Sequence, residues 1–309
     1  MRPTHYMDTK DLSKNEYDVL FGLADDIFSH PDRYIDRLRG KVLASLFFEP
    51  STRTRMSFET AMLRLGGSVI HMDSPDNSSM KKGESLEDTL RIVESYADVC
   101  VMRHPVSFTQ HKLVPYLKEM HLINAGDGNH SHPTQTLTDL MTIRHTKGRL
   151  DHLKIGLCGD LKNGRTVHSL FRHLKEIEGN HFTFISPPGL EMPEEYFDGV
   201  DKNSYVEIQS LEEGIEDLDI LYMTRVQTER FASEEEGLGF RGSYALTKKI
   251  LGKGKEDLSI MHPLPRVDEI ETEIDEDPRA HYFLQAKLGM IVRMALILFL
   301  MEDENGKDS

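Results

Sequence analysis

Two arginines and three hydroxyls crowd one short stretch of this chain, Glu49-Pro50-Ser51-Thr52-Arg53-Thr54-Arg55, directly after the apolar run Val42 to Phe48. A buried strand, a polar turn and then the helical pattern Ser51 to Leu65 make an arrangement suited to anions. The first amides of a helix have no partner of their own and point outward, and the helix dipole adds partial positive charge. Hydroxyl and guanidinium groups supply further donors. The segment reads as a phosphate cradle without a glycine-rich loop. Taken alone, a capped helix start with solvated arginines would also account for it.

Other apolar runs end in the same way. Val99 to Met102 delivers Arg103-His104-Pro105, and Leu122 to Asn124 delivers Ala125-Gly126-Asp127-Gly128-Asn129-His130-Ser131-His132-Pro133-Thr134-Gln135. Glycines let the backbone approach a ligand closely, and Pro133 suits the first turn of a following helix. Leu153 to Cys158 leads to Gly159-Asp160-Leu161-Lys162-Asn163-Gly164-Arg165, Ile220 to Met223 to Thr224-Arg225-Val226-Gln227, and Ser259 to His262 to Pro263-Leu264-Pro265-Arg266. Any one such arginine is more often a surface charge. Repeated strand ends carrying Arg or His in an acidic protein are hard to explain that way, because ligands of open parallel sheets bind at the carboxyl ends of strands.

Several chemistries fit less well. His130 and His132 lack a third metal ligand at a recognisable spacing, so no metal is expected. The turn after Cys158 is not G-x-G-x-x-G and no acidic residue ends the next strand, which weakens a nicotinamide role; no cofactor is expected. No Ser-His-Asp set, activated cysteine or glycosidase-type carboxylate pair stands out. One phosphate-like and one carboxylate-like anion site without a covalent nucleophile point to direct group transfer, carried by positioning and electrostatic stabilisation.

The elements that must position these residues alternate. Ser13-Lys14-Asn15-Glu16 is a capping box opening an amphipathic helix. Strand patterns over 42–48, 68–72, 99–102, 122–124, 153–158, 182–185, 205–208, 220–223 and 259–262 are interleaved with helical ones. Pro115 should kink or split a helix over 111–120. Asp73 to Gly83 reads as an exposed loop, and Arg279 to Met301 as one long helix. Such alternation predicts an α/β protein of two doubly wound domains, each with a central parallel sheet flanked by helices. The 309 residues suit two domains. The expected division is 1–133 and 134–287, with a C-terminal helix within 288–309 packing back on the first.

A net charge of -15 disfavours nucleic acid and anionic membranes as partners. The apolar run Leu288 to Met301 is short for a membrane span and is interrupted by Arg293, so a buried helix is favoured. Cys100 and Cys158 lie in apolar runs and read as free, buried thiols. Met1 to Asp11 is polar without a signal-peptide core, and the expected compartment is the cytoplasm.

Phe48-Glu49-Pro50-Ser51-Thr52-Arg53-Thr54-Arg55 resembles the carbamoyl phosphate signature of the aspartate and ornithine carbamoyltransferases, and Arg103-His104-Pro105 and His132-Pro133-Thr134-Gln135 resemble their other shared motifs. The likeness runs through essentially the whole chain. His262-Pro263-Leu264-Pro265, Arg225-Val226-Gln227 and the loop Ser78-Ser79-Met80-Lys81-Lys82-Gly83 resemble the aspartate branch; ornithine enzymes usually carry a cysteine after that histidine. Arg165 and Arg225 suit a dicarboxylate and would repel cationic ornithine.

The resemblance implies transfer of the carbamoyl group of carbamoyl phosphate to the amino group of L-aspartate, an early step of pyrimidine biosynthesis. It implies that Ser51, Thr52, Arg53 and Thr54 hold the phosphate, with Arg103 also reaching it. Thr54, Arg103 and His132 would bond the carbonyl oxygen as it gains charge. Gln135 and the Pro263 carbonyl would hold the carbamoyl amide, and the Leu264 carbonyl would receive the attacking amine. Arg165, Arg225 and Gln227 would grip aspartate. Ser78 and Lys82 would reach in from a neighbouring subunit of a homotrimer with shared sites, Lys82 closing over the anions on its loop. Ser233 to Tyr244 would be a second moving segment. Whether a separate regulatory chain binds stays open. The alternatives are a carbamoyltransferase for another amine, such as ornithine, and a non-catalytic anion-sensing module, whose mark would be degraded motifs.

Overall fold

The computed structural model describes residues 3–72, 79–128, 130–227 and 244–302. Ser78 and nearly all of the segment from Ser233 to Tyr244 lie outside the described residues. The chain divides into two compact units, Met1–Leu137 with Lys287–Ser309, and Thr138–Ala286. The first unit thus keeps the opening turn of a helix, Pro133–Lys147, whose sequence pattern suggests the second.

The first unit is built on β1 (Val42–Phe47), β2 (Ser68–Met72), β3 (Val99–His104) and β4 (His121–Asp127), all parallel, in the order β2-β1-β3-β4. The inner strands β1 and β3 are buried along nearly their whole length, which explains their unbroken apolar sequence. Helices α1 (Lys14–Ser29), α2 (Thr52–Arg64), α3 (Leu86–Glu94) and α4 (Thr109–Leu113) accompany them. The capping box forms as the sequence suggests: Ser13 accepts from the Glu16 amide while Glu16 takes the Ser13 amide.

Pro115 splits its helix as expected, and strand β4 runs longer than its sequence pattern. Pro115 has no N–H to donate, so the helix expected over 111–120 ends at Leu113 and a 3-10 turn, Val114–Tyr116, follows. Strand β4 runs on to Asp127 because it carries a bulge. Met102 pairs with Asn124, but His104 pairs with Asp127, leaving one extra residue on β4.

The second unit holds β5 (Lys154–Cys158), β6 (His181–Ile185), β7 (Tyr205–Ile208), β8 (Ile220–Met223) and β9 (Ser259–Met261), again parallel, in the order β7-β6-β5-β8-β9. Its helices are most of α5 (Pro133–Lys147), α6 (Arg165–Leu174), α7 (Leu211–Gly214) and α8 (Lys248–Leu251). The last helix, α9 (Tyr282–Met301), starts later than its apolar pattern suggests, because the Arg279 carbonyl accepts the Ile260 amide in a strand-like bridge. It is long and apolar enough to cross a membrane, yet most of it is buried within the protein. Its one interior charge is accounted for: Arg293 donates to Ser57 Oγ at 2.9 Å and lies over the Phe58 ring.

The architecture is the doubly wound α/β type that the alternation predicts. In each sheet the chain winds outward one way and then reverses. The reversal falls between β1 and β3 in the first unit and between β5 and β8 in the second. Helices leave a crevice at such a switch point, above the carboxyl ends of the two strands. The carboxyl ends of β1, β3, β5 and β8 and the segments after them are the arginine-bearing ones singled out above.

Candidate active site

In the first unit, α2 begins at Thr52 with Ser51 as its cap residue, and Ser51 makes no side-chain capping bond. No acidic side chain occupies the first turn. The helix start therefore keeps its donors and its partial positive charge for an anion. Thr54 is buried at this turn, whereas Thr52 and Arg53 are exposed. Arg55 turns along the helix to Glu59, Nε to Oε1 2.7 Å, and leaves the cradle to its neighbours.

Across the switch point stands Arg103, at the end of β3. Its guanidinium is buried, with Nη2 3.1 Å from Glu49 Oε1 and Nη1 3.4 Å from the Ala125 carbonyl. Nη1 also lies 3.3 Å from His132 Nε2. Arginine can only donate, so in this state Nε2 accepts and the imidazole proton sits on Nδ1. Burial lowers the Arg103 pKa from its usual value, while Glu49 favours the charged form. Arg103 Nε is buried and meets no hydrogen-bond partner among the described residues. Two motifs separated in sequence thus converge, aligning a guanidinium with an imidazole beside an open helix start. Gln135 lies half-buried in the first turn of α5.

The bulge on β4 makes room for this. Gly126 adopts φ +123, and a β-carbon there would stand 3.0 Å from Arg103 Nη1. Asp127, fully buried, holds the two loops that flank the site. Its oxygens accept from the Phe108 amide at 3.0 Å and the Ser131 amide at 3.0 Å, and meet His130 Nδ1. His130 is therefore engaged with a carboxylate. Among the described residues no group of three His, Cys, Asp or Glu could hold a metal ion.

In the second unit, Arg165 opens α6 and Arg225 and Gln227 follow β8, all half-buried. Asp160, fully buried after β5, ties the two segments together: it accepts from the Asn163 amide at 2.9 Å and from the Gln227 amide at 3.2 Å. Gln227 Nε2 in turn donates to the Asn163 carbonyl at 2.8 Å. Gly159 has φ +116, and a β-carbon would collide with the Thr224 carbonyl at 2.2 Å, so only glycine lets the segments approach. Pro263 and Leu264 are half-buried after β9, with their turn held by His262 and Glu269.

Lys82 is exposed at the end of a 3-10 turn, Ser79–Lys82, beside the edge strand β2. It borders a groove of about 560 Å³ whose walls include His71, Glu84 and Tyr96. The supporting residues Glu49, Asp127 and Asp160 carry no role in the motif reading. Their signals were present: each is an acid beside glycine or proline at a strand end. Each also bonds a group far away in sequence, namely Arg103, the Phe108 amide and the Gln227 amide in turn.

The family model for aspartate/ornithine carbamoyltransferase, carbamoyl-P binding domain, matches residues 4–145. That for aspartate/ornithine carbamoyltransferase, Asp/Orn binding domain, matches 151–300. The aspartate carbamoyltransferase catalytic subunit of Clostridium kluyveri is 50% identical over 303 residues, covering 97% of this chain and 99% of the relative. Among solved structures, the catalytic subunit of M. jannaschii aspartate transcarbamoylase superposes with a TM-score of 0.90 at 44% identity, over 99% of this chain and 100% of the other. Aspartate transcarbamoylase from Trypanosoma cruzi, solved with carbamoyl phosphate and aspartate, gives 0.86 at 36% identity, over 95% of each chain.

Proposed function

We propose that this chain, which belongs to the aspartate/ornithine carbamoyltransferase family, is an aspartate carbamoyltransferase, making N-carbamoyl-L-aspartate and phosphate from carbamoyl phosphate and L-aspartate at the start of pyrimidine synthesis. The observation that carries the reading is the buried Arg103 guanidinium set 3.3 Å from His132. Those two groups flank the position where a carbonyl oxygen gains negative charge during acyl transfer.

The aspartate amine attacks the carbamoyl carbon, the tetrahedral intermediate collapses, and the carbon–oxygen bond to phosphate breaks. The amine proton leaves with the phosphate or to solvent. Ser51, Thr52, Arg53 and Thr54 hold the phosphate at the α2 start, with Arg103 reaching the same group. Thr54, Arg103 and His132 donate to the carbonyl oxygen. That role needs the His132 proton on Nε2, so substrate exchanges the Arg103-to-His132 contact for two donors on one oxygen. Gln135 and the Pro263 carbonyl take the amide. Arg165, Arg225 and Gln227 take the aspartate carboxylates, and the Leu264 carbonyl the incoming amine. Fixed donors aimed at developing charge cost no reorganisation at the moment of reaction.

The reading extends to a homotrimer with Lys82 supplied by a neighbour. Ile92 and Tyr96, 51% and 65% exposed, and Ile70 on the edge strand β2 support it, because an apolar sheet edge of this kind calls for cover. The Ser78 part of this assignment lies outside the described residues. Free, buried Cys100 and Cys158 fit the reducing cytoplasm.

The test is product formation from carbamoyl phosphate with aspartate or with ornithine. Product with aspartate alone is expected; product with ornithine alone overturns the acceptor assignment. Mixing Arg53→Ala with Lys82→Ala chains should restore activity that neither has alone, and a mixture as inactive as its parts contradicts shared sites.

A further inference from the structure

Of the motif His262-Pro263-Leu264-Pro265, the function above uses two carbonyls and leaves the histidine without a task. His262 is buried at the end of β9, and its two ring nitrogens are both engaged. Nδ1 accepts the Leu264 amide at 2.8 Å, and Nε2 meets Glu269 Oε1 at 2.6 Å. Since Nδ1 accepts, Nε2 must carry the proton and donate it to Glu269. The other Glu269 oxygen accepts the Val267 and Asp268 amides at 3.0 and 3.1 Å. One imidazole and one carboxylate thus hold both limbs of the turn 263–268.

The charge states agree with that arrangement. Burial holds the His262 pKa below its ordinary value despite Glu269, which keeps the ring neutral. Burial works to raise Glu269, but the His262 hydrogen bond and the loop amides outweigh it and keep the carboxylate ionised. The turn needs this support. Leu264 has φ 55, a left-handed conformation that a non-glycine residue rarely holds unaided.

The histidine is itself anchored. Its amide donates to Gln285 Oε1 at 2.9 Å, Gln285 Nε2 donates to Asp139 Oδ1 at 2.7 Å, and the Tyr222 hydroxyl donates to Asp139 Oδ2 at 2.9 Å. All four side chains are buried. Tyr222 lies in β8, three residues before Arg225. The chain of bonds therefore spans α5, α9, β8 and the turn after β9, joining the strand that delivers Arg225 to the turn that delivers the Leu264 carbonyl.

We propose that His262, locked in its Nε2–H form by Glu269, is a positioning residue that aims the Pro263 and Leu264 carbonyls at the carbamoyl amide and the attacking amine. This rests on the aspartate carbamoyltransferase reading. A polar group displaced by a fraction of an ångström loses most of its effect on a reacting centre.

The test compares His262→Ala, His262→Asn and Glu269→Gln with the wild type in the full-length protein. Steady-state kinetics are followed with aspartate varied, together with titration of inorganic phosphate, which only the first unit's residues would hold. His262→Ala should lower kcat/KM for aspartate about 100-fold with phosphate affinity within about twofold. The asparagine amide oxygen reaches the place of Nδ1 and can accept the Leu264 amide, so His262→Asn should recover about tenfold of that loss. Glu269→Gln should fall between the two. Aspartate kinetics within about twofold of wild type in His262→Ala overturn the proposal. So does an asparagine variant no better than alanine, or a loss of phosphate affinity equal to the loss in kcat/KM, both of which mark a merely structural role. A wild type that does not carbamoylate aspartate refutes the reading beneath it instead, whatever the variants do.

Discussion

The two units use one device at the amino ends of their switch-point strands and different devices at the carboxyl ends. Asp98 directly precedes β3, and its carboxylate takes the Val42 amide at 2.8 Å and Lys41 Nζ at 2.9 Å. Asp219 directly precedes β8 and does the same with the Lys154 amide at 2.8 Å and Lys255 Nζ at 2.9 Å. Both residues also bridge the neighbouring strand through their backbones. At the other end the first unit buries an arginine against a histidine and leaves a helix start open. The second keeps its arginines half-buried and fastens their segments through Asp160. The repeated device closes the sheet, and the divergent ends suit different anions. A phosphoryl group needs a cradle of donors, while a flexible dicarboxylate needs spaced cations.

Substitutions can break this division of labour, and the largest effect is expected in the first unit. If the proposed roles hold, Arg53→Ala or Arg103→Ala should cost roughly a thousandfold in kcat/KM, each removing a charged donor from the transition state. Steady-state assays will show it, and near-normal turnover would remove the residue from the site. Arg225→Ala should raise KM for aspartate about 30-fold, the value of one charge-assisted hydrogen bond, and spare phosphate affinity. The two buried clamps sharpen the comparison further. Asp160→Ala should raise KM for aspartate about tenfold by freeing Gln227, and Asp127→Ala should weaken phosphate binding by about the same factor. Titration calorimetry separates them, and the contrast fails if both act on the same ligand.

The smallest effects belong to the amino ends, where the units should respond alike. Burial works to raise the Asp98 and Asp219 pKa values, but lysine and backbone donors outweigh it and hold both below the ordinary carboxylate range. A depressed folded-state pKa means the stabilisation is fully present above the unfolded value, near pH 3.9, and is lost as pH falls through the folded one. Asp98→Asn and Asp219→Asn should each cost about 1 kcal/mol at neutral pH, and the deficit should shrink in acid. Denaturant unfolding at pH 7 and pH 3 checks it. A deficit that grows in acid would reverse the sign of the argument.

Much of this organisation is legible in the sequence. Continuous apolar runs give the buried parallel strands, and Ser13 with Glu16 gives the first helix start. That Arg53, Arg103, Arg165 and Arg225 lie at or just after strand ends is equally plain from local pattern. Local pattern does not reveal the bulge on β4, since Gly126 looks like any loop glycine until Arg103 lies against it. Nor does it reveal that Asp127 and Asp160 join segments 19 and 67 residues apart. These are long-range hydrogen bonds, fixed only once the strand order is fixed.

The division of substrates between the units is tested most directly by titrating inorganic phosphate into Arg225→Ala and Arg53→Ala proteins side by side. Phosphate affinity equal to wild type in the first and abolished in the second is the predicted result. Equal losses in both, or a loss confined to Arg225→Ala, would contradict it.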